Sequence, residues 1–179
     1  MANAQQCRLT AVDRFGPGPF YRANQPVGDM LCAGDSEFTK QKKLYVRGRV
    51  LDQDCSTPLP NYKVDVWQAD SQGVYNHQGH GCSRTIYSGE QGEFQFIGLP
   101  PGQYTFGFIR PRHIHFVTTP NGTCHQRLVT QGYFSRTDKI GNESCRTLSH
   151  RGCDIVDDTH LFTNLDVNKC VSSTISHPL

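Results

Sequence analysis

The run Arg110-Pro111-Arg112-His113-Ile114-His115-Phe116 carries the densest chemistry in the chain. On a β-strand alternate residues share a face, roughly 7 Å apart, so His113 and His115 would project together while Ile114 turns to the opposite layer. Two imidazoles converging from one strand suit a metal ion; two histidines on a solvated face are the plainer reading. His77 and His80, in the glycine-rich stretch His77-Gln78-Gly79-His80-Gly81, could add to a zinc or copper site or be polar loop residues. His125, His150, His160 and His177 read as surface residues. Tyr75 and Tyr104 stand where strands give way to loops, in Gly73-Val74-Tyr75 and Pro101-Gly102-Gln103-Tyr104. Singly they are ordinary amphipathic strand residues. As phenolates they would be hard oxygen donors suited to a high-charge cation such as Fe(III). There is no nucleophile elbow, phosphate loop or dinucleotide fingerprint, and no pair of carboxylates is marked out for glycoside chemistry.

Strands must position these residues. Leu44–Leu51 alternates, Asp54–Pro60 makes a turn, and Lys63–Ala69 alternates again with Val64, Val66 and Gln68 on one face. Glu93–Ile97, Gly102–Phe108, His113–Val117 and Leu128–Phe134 follow as further strands. Short strands separated by Gly, Pro and Asn turns read as an all-β, antiparallel β-sandwich, with a barrel as the alternative. Asp154–Leu161 could hold a turn or two of helix. Residues 1–43 lack periodicity, and Gly16-Pro17-Gly18-Pro19 cannot be helical because proline fixes φ and pushes its predecessor to extended geometry. An extended N-terminal arm over 1–43, packed on a single domain over 44–179, is expected.

The 179 residues are 36% hydrophobic and 19% charged, which suits one globular domain. No run reaches the ~18 apolar residues of a membrane helix. A net charge of +2, with both signs interspersed, supplies no basic field for nucleic acid. Eight cysteines (Cys7, Cys32, Cys55, Cys82, Cys124, Cys145, Cys153 and Cys170) contain no Cys-x-x-Cys pair, so they read as disulfides rather than a zinc ribbon. The sequons at Asn121 and Asn142 point with them to a secreted glycoprotein whose C-terminal tail is stapled by disulfides. Met1-Ala2-Asn3-Ala4 is short and polar, has no signal-peptide pattern, and is expected to precede a mature start.

In unbroken order, Gly48-x-Val50, Pro58-Leu59, Val64-Asp65-Val66-Trp67-Gln68-Ala69-Asp70, Gly73-x-Tyr75, Gly92-x-Phe94-x-Phe96, Pro101-Gly102-x-Tyr104, Arg110-Pro111-x-His113-Ile114-His115-Phe116 and Thr130-Gln131-x-Tyr133-Phe134 resemble the intradiol ring-cleavage dioxygenases. Gly18-Pro19-Phe20-Tyr21 matches an upstream element of that family. The resemblance implies one nonheme Fe(III) per chain, held by Tyr75, Tyr104, His113 and His115, with Tyr75 and His113 equatorial and Tyr104 and His115 axial. It implies a catechol and O2 as substrates and a cis,cis-muconate as product. Tyr104 would also leave the metal and take a substrate proton. Arg110 would stabilise negative charge on the ring, and Gln131 would help polarise it. Pro19, Phe20 and Phe106 match pocket-wall positions, and Tyr21 would anchor their loop.

The chain departs from the better-known bacterial members in two ways. It shows no helical dimerisation segment, and its spacer from Tyr104 to His113 is short, so a monomer with an open pocket is expected. Two other classes fit parts of the pattern: a non-catalytic sandwich binding an aromatic or a sugar, and a secreted copper/zinc sandwich enzyme.

Overall fold

The computed structural model describes residues 16–75, 81–120 and 127–134, and the backbone of 160–167. Nine strands run through these residues: β1 (Leu44–Asp52), β2 (Lys63–Trp67), β3 (Ser83–Tyr87), β4 (Glu93–Gly98), β5 (Tyr104–Phe106), β6 (Phe108–Arg110), β7 (His113–Thr119), β8 (Leu128–Tyr133) and β9 (His160–Val167). Among the described residues there is no helix. One sheet has the order β4-β1-β9, a second β3-β2-β7-β8, and β5-β6 form a separate hairpin.

The two larger sheets share one core. Leu44, Val46 and Val50 of β1, with Phe94 and Phe96 of β4, meet Val64, Val66, Ile114, Phe116 and Leu128 of the opposite sheet. Phe116 bridges the layers, its ring 6.3 Å from Phe94 and 6.4 Å from Phe96. In β1 the alternate residues Tyr45, Arg47 and Arg49 face outward and are exposed, as expected of a sheet with one wet face. The second sheet differs: β7 is buried from His113 to Thr118, and β8 throughout. Its outer face is therefore covered as well, partly by Phe20, Tyr21 and Tyr75, which pack on Trp67, Val117 and Val129.

The strand expectations hold for β1, β2, β4, β7 and β8 within a few residues, and four details differ. Gly102–Phe108 is not one strand. Gly107 turns at φ 74, a left-handed conformation that suits glycine, and folds the segment into the β5–β6 hairpin. Strand β3 was not expected, because Ser83-Arg84-Thr85 masks its alternation. His160 and Leu161 open strand β9 rather than close a helical turn, and the alternation Leu161, Thr163, Leu165, Val167 carries that signal. Finally, β9 pairs parallel to β1, so the first sheet is mixed rather than purely antiparallel.

Residues 16–43 lie against both sheets. Val27 bridges Thr85, Met30 bridges Ile97, and Leu31 and Cys32 are fully buried. Cys32 is bonded to Cys82 across 50 residues of sequence, which in a chain-entropy account stabilises the fold by about 4 kcal/mol. Cys55 is also disulfide-bonded. Cys7, Cys124, Cys145, Cys153 and Cys170, both sequons, His77 and His80 lie outside the described residues.

The loops that carry Tyr75 and Tyr104 are joined backbone to backbone. Asp70 starts the first loop, its Oδ1 accepting from the Gln72 and Val74 amides at 2.9 and 2.8 Å. Its carbonyl accepts from Gly73 N at 3.1 Å and from Gly102 N, in the second loop, at 2.8 Å. A Cβ on Gly73 would lie 1.9 Å from the Gln103 carbonyl oxygen, and one on Gly102 would lie 2.3 Å from Gly73 N. Neither position accepts a side chain, so the tyrosines two residues later are held at a set separation. Gly73→Ala should therefore cost at least about 2 kcal/mol in denaturant unfolding, combining a positive φ with a backbone clash. Gly107→Ala, at a positive φ in open space, should cost only about 1–2 kcal/mol.

Candidate active site

Sheet register brings the site residues to one face. On β7, Ile114 and Phe116 enter the core, so His113 and His115 project outward. Across the strands His115 stands opposite Trp67 of β2 and Gln131 of β8, and His113 opposite Tyr133. The covered outer face buries both imidazoles, leaving 2% of His113 and 4% of His115 exposed.

Four donor side chains converge there. His113 Nε2 lies 3.0 Å from His115 Nε2, and Tyr75 Oη lies 3.2 Å from the same His115 nitrogen. The Tyr104 ring stands perpendicular to that of Tyr75 at 5.1 Å and lies 5.7 Å from the His113 ring. His113 Nδ1 lies 2.6 Å from the Pro111 carbonyl. A carbonyl only accepts, so the proton sits on Nδ1 and the Nε2 lone pair points into the cluster.

The chemistry of this set fits a cation. Two imidazole nitrogens each bound at about 2.1 Å and at right angles would lie about 3.0 Å apart, the spacing found here. Burial, then the neighbouring His113 and Arg110, hold the His115 imidazole well below its ordinary range, so it is the neutral form a metal needs. Burial, then the charge and hydrogen bond of Tyr104, push the Tyr75 phenol well above its ordinary range. Its ionisation therefore calls for positive charge beside the oxygen. Among the described residues no three His, Cys, Asp or Glu side chains cluster. The donor set here depends on tyrosine.

The other expected residues surround this cluster. Arg110 stands opposite Tyr104 across the β5–β6 hairpin, stacks over Phe108 at 5.2 Å, and its charge favours the Tyr75 phenolate. Gln131 is buried, and its Oε1 accepts from the Tyr133 hydroxyl at 2.7 Å. Phe20 lies flat on Tyr75, with centroids 4.1 Å apart and planes 7° apart, and meets Tyr104 and Phe106 edge-on at 6.0 and 5.8 Å. Tyr21 donates to Asp65 Oδ2 at 2.8 Å and packs on Trp67. A cavity of about 450 Å³ opens beside Tyr75 and Tyr104, lined also by Phe20, Gln72, Val74 and Gln103. Pro19 is exposed and outside that lining, its carbonyl accepting from Arg22 at 3.1 Å. Phe106 is 59% exposed and also lies outside that lining, touching it through its edge-on contact with Phe20.

Sequence reasoning assigned no role to Trp67, Asp65 or Tyr133. The signal was present: Val64 and Val66 face the core, so Asp65 and Trp67 must lie on the histidine face.

A family model described as "Dioxygenase" matches residues 17–151. The chain is 30% identical over 145 residues to catechol 1,2-dioxygenase from Acinetobacter baylyi, covering 68% of this chain and 45% of that protein. It is 35% identical over 108 residues to the protocatechuate 3,4-dioxygenase beta chain of Burkholderia cepacia, covering 52% and 45%. It thus spans less than half the length of these curated relatives. In fold it is similar to wild-type catechol 1,2-dioxygenase of Acinetobacter radioresistens, with TM-score 0.70, 21% identity, and 97% of this chain and 66% of that one covered. It is also similar to an intradiol ring-cleavage dioxygenase from Tetranychus urticae, with TM-score 0.68, 18% identity, and 90% and 95% covered. Family match, sequence and architecture agree: the chain belongs to the intradiol ring-cleavage dioxygenases.

Proposed function

We propose that this chain binds one ferric ion through Tyr75, Tyr104, His113 and His115 and cleaves a catechol between its two hydroxylated carbons. Both atoms of O2 enter the product, a cis,cis-muconate, so no external reductant is needed. The observation that carries the reading is the convergence of Tyr75, His113 and His115 at 3.0–3.2 Å, with the Tyr104 ring 5.1 Å from that of Tyr75, over one covered sheet face. Ferric ion would acidify a chelating catechol and draw on its ring electrons, opening a ring carbon to O2.

The protein's own groups do the rest. Tyr104 is half-buried and lines the cavity; held as a phenolate by the ferric ion, it could take a proton from the incoming catechol on its oxygen and become the neutral phenol. Arg110 offers a fixed positive charge beside Tyr75 for the negative charge that develops on the ring. Gln131, with its amide oxygen engaged by Tyr133, can present its NH2 group to the substrate. Phe20 shields Tyr75 from water. The Cys32–Cys82 bond supports a secreted setting, since disulfides persist in oxidising compartments.

Purified protein given one equivalent of ferric ion should turn red through phenolate-to-iron charge transfer, and with catechol it should take up O2 and form a muconate absorbance. A colourless protein that consumes no O2 with several catechols would reject the reading and leave a binding module or a zinc site. Arg110→Ala should keep the coloured site and lower kcat by about 10²–10³-fold, the typical loss of one charge-stabilising donor. Tyr104→Phe should still bind iron through the remaining donors and react more slowly. Loss of all iron from that variant would show that its phenolic oxygen is indispensable for holding the metal.

A further inference from the structure

The two imidazoles are oriented by different means. His113 is held by a hydrogen bond, its Nδ1 donating to Pro111 at 2.6 Å. His115 Nδ1 is buried and has no hydrogen-bond partner. A metal-binding imidazole ordinarily donates its second nitrogen to a carboxylate or carbonyl, which fixes the ring plane. His115 lacks that device.

A flat surface takes its place. The Trp67 indole lies parallel to the His115 ring, with planes 4° apart and centroids 4.6 Å apart. Trp67 is itself immobilised. It is 2% exposed, and Tyr21 packs on it at 4.9 Å. The Tyr21 hydroxyl is tied to Asp65, a fully buried carboxylate that also accepts from Thr85 at 2.6 Å and pairs with Lys63 at 3.1 Å. The indole N–H is buried without an acceptor, so the residue carries a desolvation cost that a phenyl ring would not. Its extended planar face is what it adds at this position.

We propose that Trp67 is a positioning residue: through π-stacking, backed by the Tyr21–Asp65 clamp, it fixes the His115 ring so that Nε2 faces His113 and Tyr75. The proposal rests on the ferric-site reading for its purpose, but not for its geometry.

Both levels can be read in Trp67→Phe, which keeps a flat face, and Trp67→Leu, which keeps apolar bulk without one. In the labelled metal-free protein, the His115 ring-proton resonances should carry an upfield shift from the indole. In the Leu variant that shift should vanish and the signals broaden, while those of His113 stay in place. Ferric affinity, read by titrating the charge-transfer band, should fall about 10- to 100-fold in the Leu variant, as for loss of an orienting partner. The Phe variant should recover most of that loss. A folded Leu variant with unchanged His115 resonances would overturn the proposal, as would equal losses in both variants. Should Trp67→Leu not fold, Tyr21→Phe replaces it: broadened Trp67 and His115 signals support the clamp, and unchanged ones overturn it. If the wild-type protein takes up no ferric ion, the ferric reading fails, while the metal-free resonances still decide the role of Trp67.

Discussion

Strand β7 is buried on both faces, and the two faces carry different chemistry. Ile114 and Phe116 are locked into the core between the sheets, while His113 and His115 project to the covered outer side. Side chains on a strand alternate with period two, so a slip of one residue would drive both imidazoles into the apolar core and bring Ile114 among the tyrosines. The hydrophobic core thus sets the register of the donors. The same register aligns Trp67, His115 and Gln131 in one row and His113 with Tyr133 in the next. A site built this way gains its precision from packing that is stable for other reasons.

The tyrosine donors have no such guarantee, because both lie at the ends of loops. Their separation is imposed by the contact of Gly73 with the Gln103 backbone and of Gly102 with the Gln72–Gly73 backbone. Asp70 holds both loops by backbone and side-chain bonds. The Cys32–Cys82 bond anchors the chain shortly after Tyr75. Strands supply the imidazoles and a glycine-tight loop pair supplies the phenols, so the cluster is closed by two independent structural devices.

This division explains how much could be read in the residues themselves. The shared face of His113 and His115 follows from their spacing and the apolar neighbours of β7, and β1, β2 and β4 announce themselves by alternation. The meeting of Tyr75 with Tyr104 does not, because it depends on two glycine backbones touching across distant loops; only the ordered family pattern suggested it. Strand β9 pairs with β1 from far along the chain, and a parallel pairing over such a distance leaves no local mark. The aromatics around Gly107 alternate like a strand, yet its left-handed φ turns the chain. The covering of the outer face by Phe20 and Tyr21 has no periodicity to announce it, since both sit in a proline-glycine segment; the ordered family pattern and the expected packing of the arm pointed to it.

Charge placement separates this site from one built on carboxylates. Asp65 lies on the same sheet face as the histidines and is fully buried. Its oxygens are already occupied by Tyr21, Thr85 and Lys63. A buried carboxylate without such partners would be costly, and one with them is no longer free to coordinate. The acid is thereby spent on holding the covering segment and the indole, and the converging donors are left as two phenols and two imidazoles. The phenols carry no charge until they ionise, and burial resists that step for Tyr75. Positive charge is what relieves it, and the Arg110 guanidinium acts on Tyr75 in that direction.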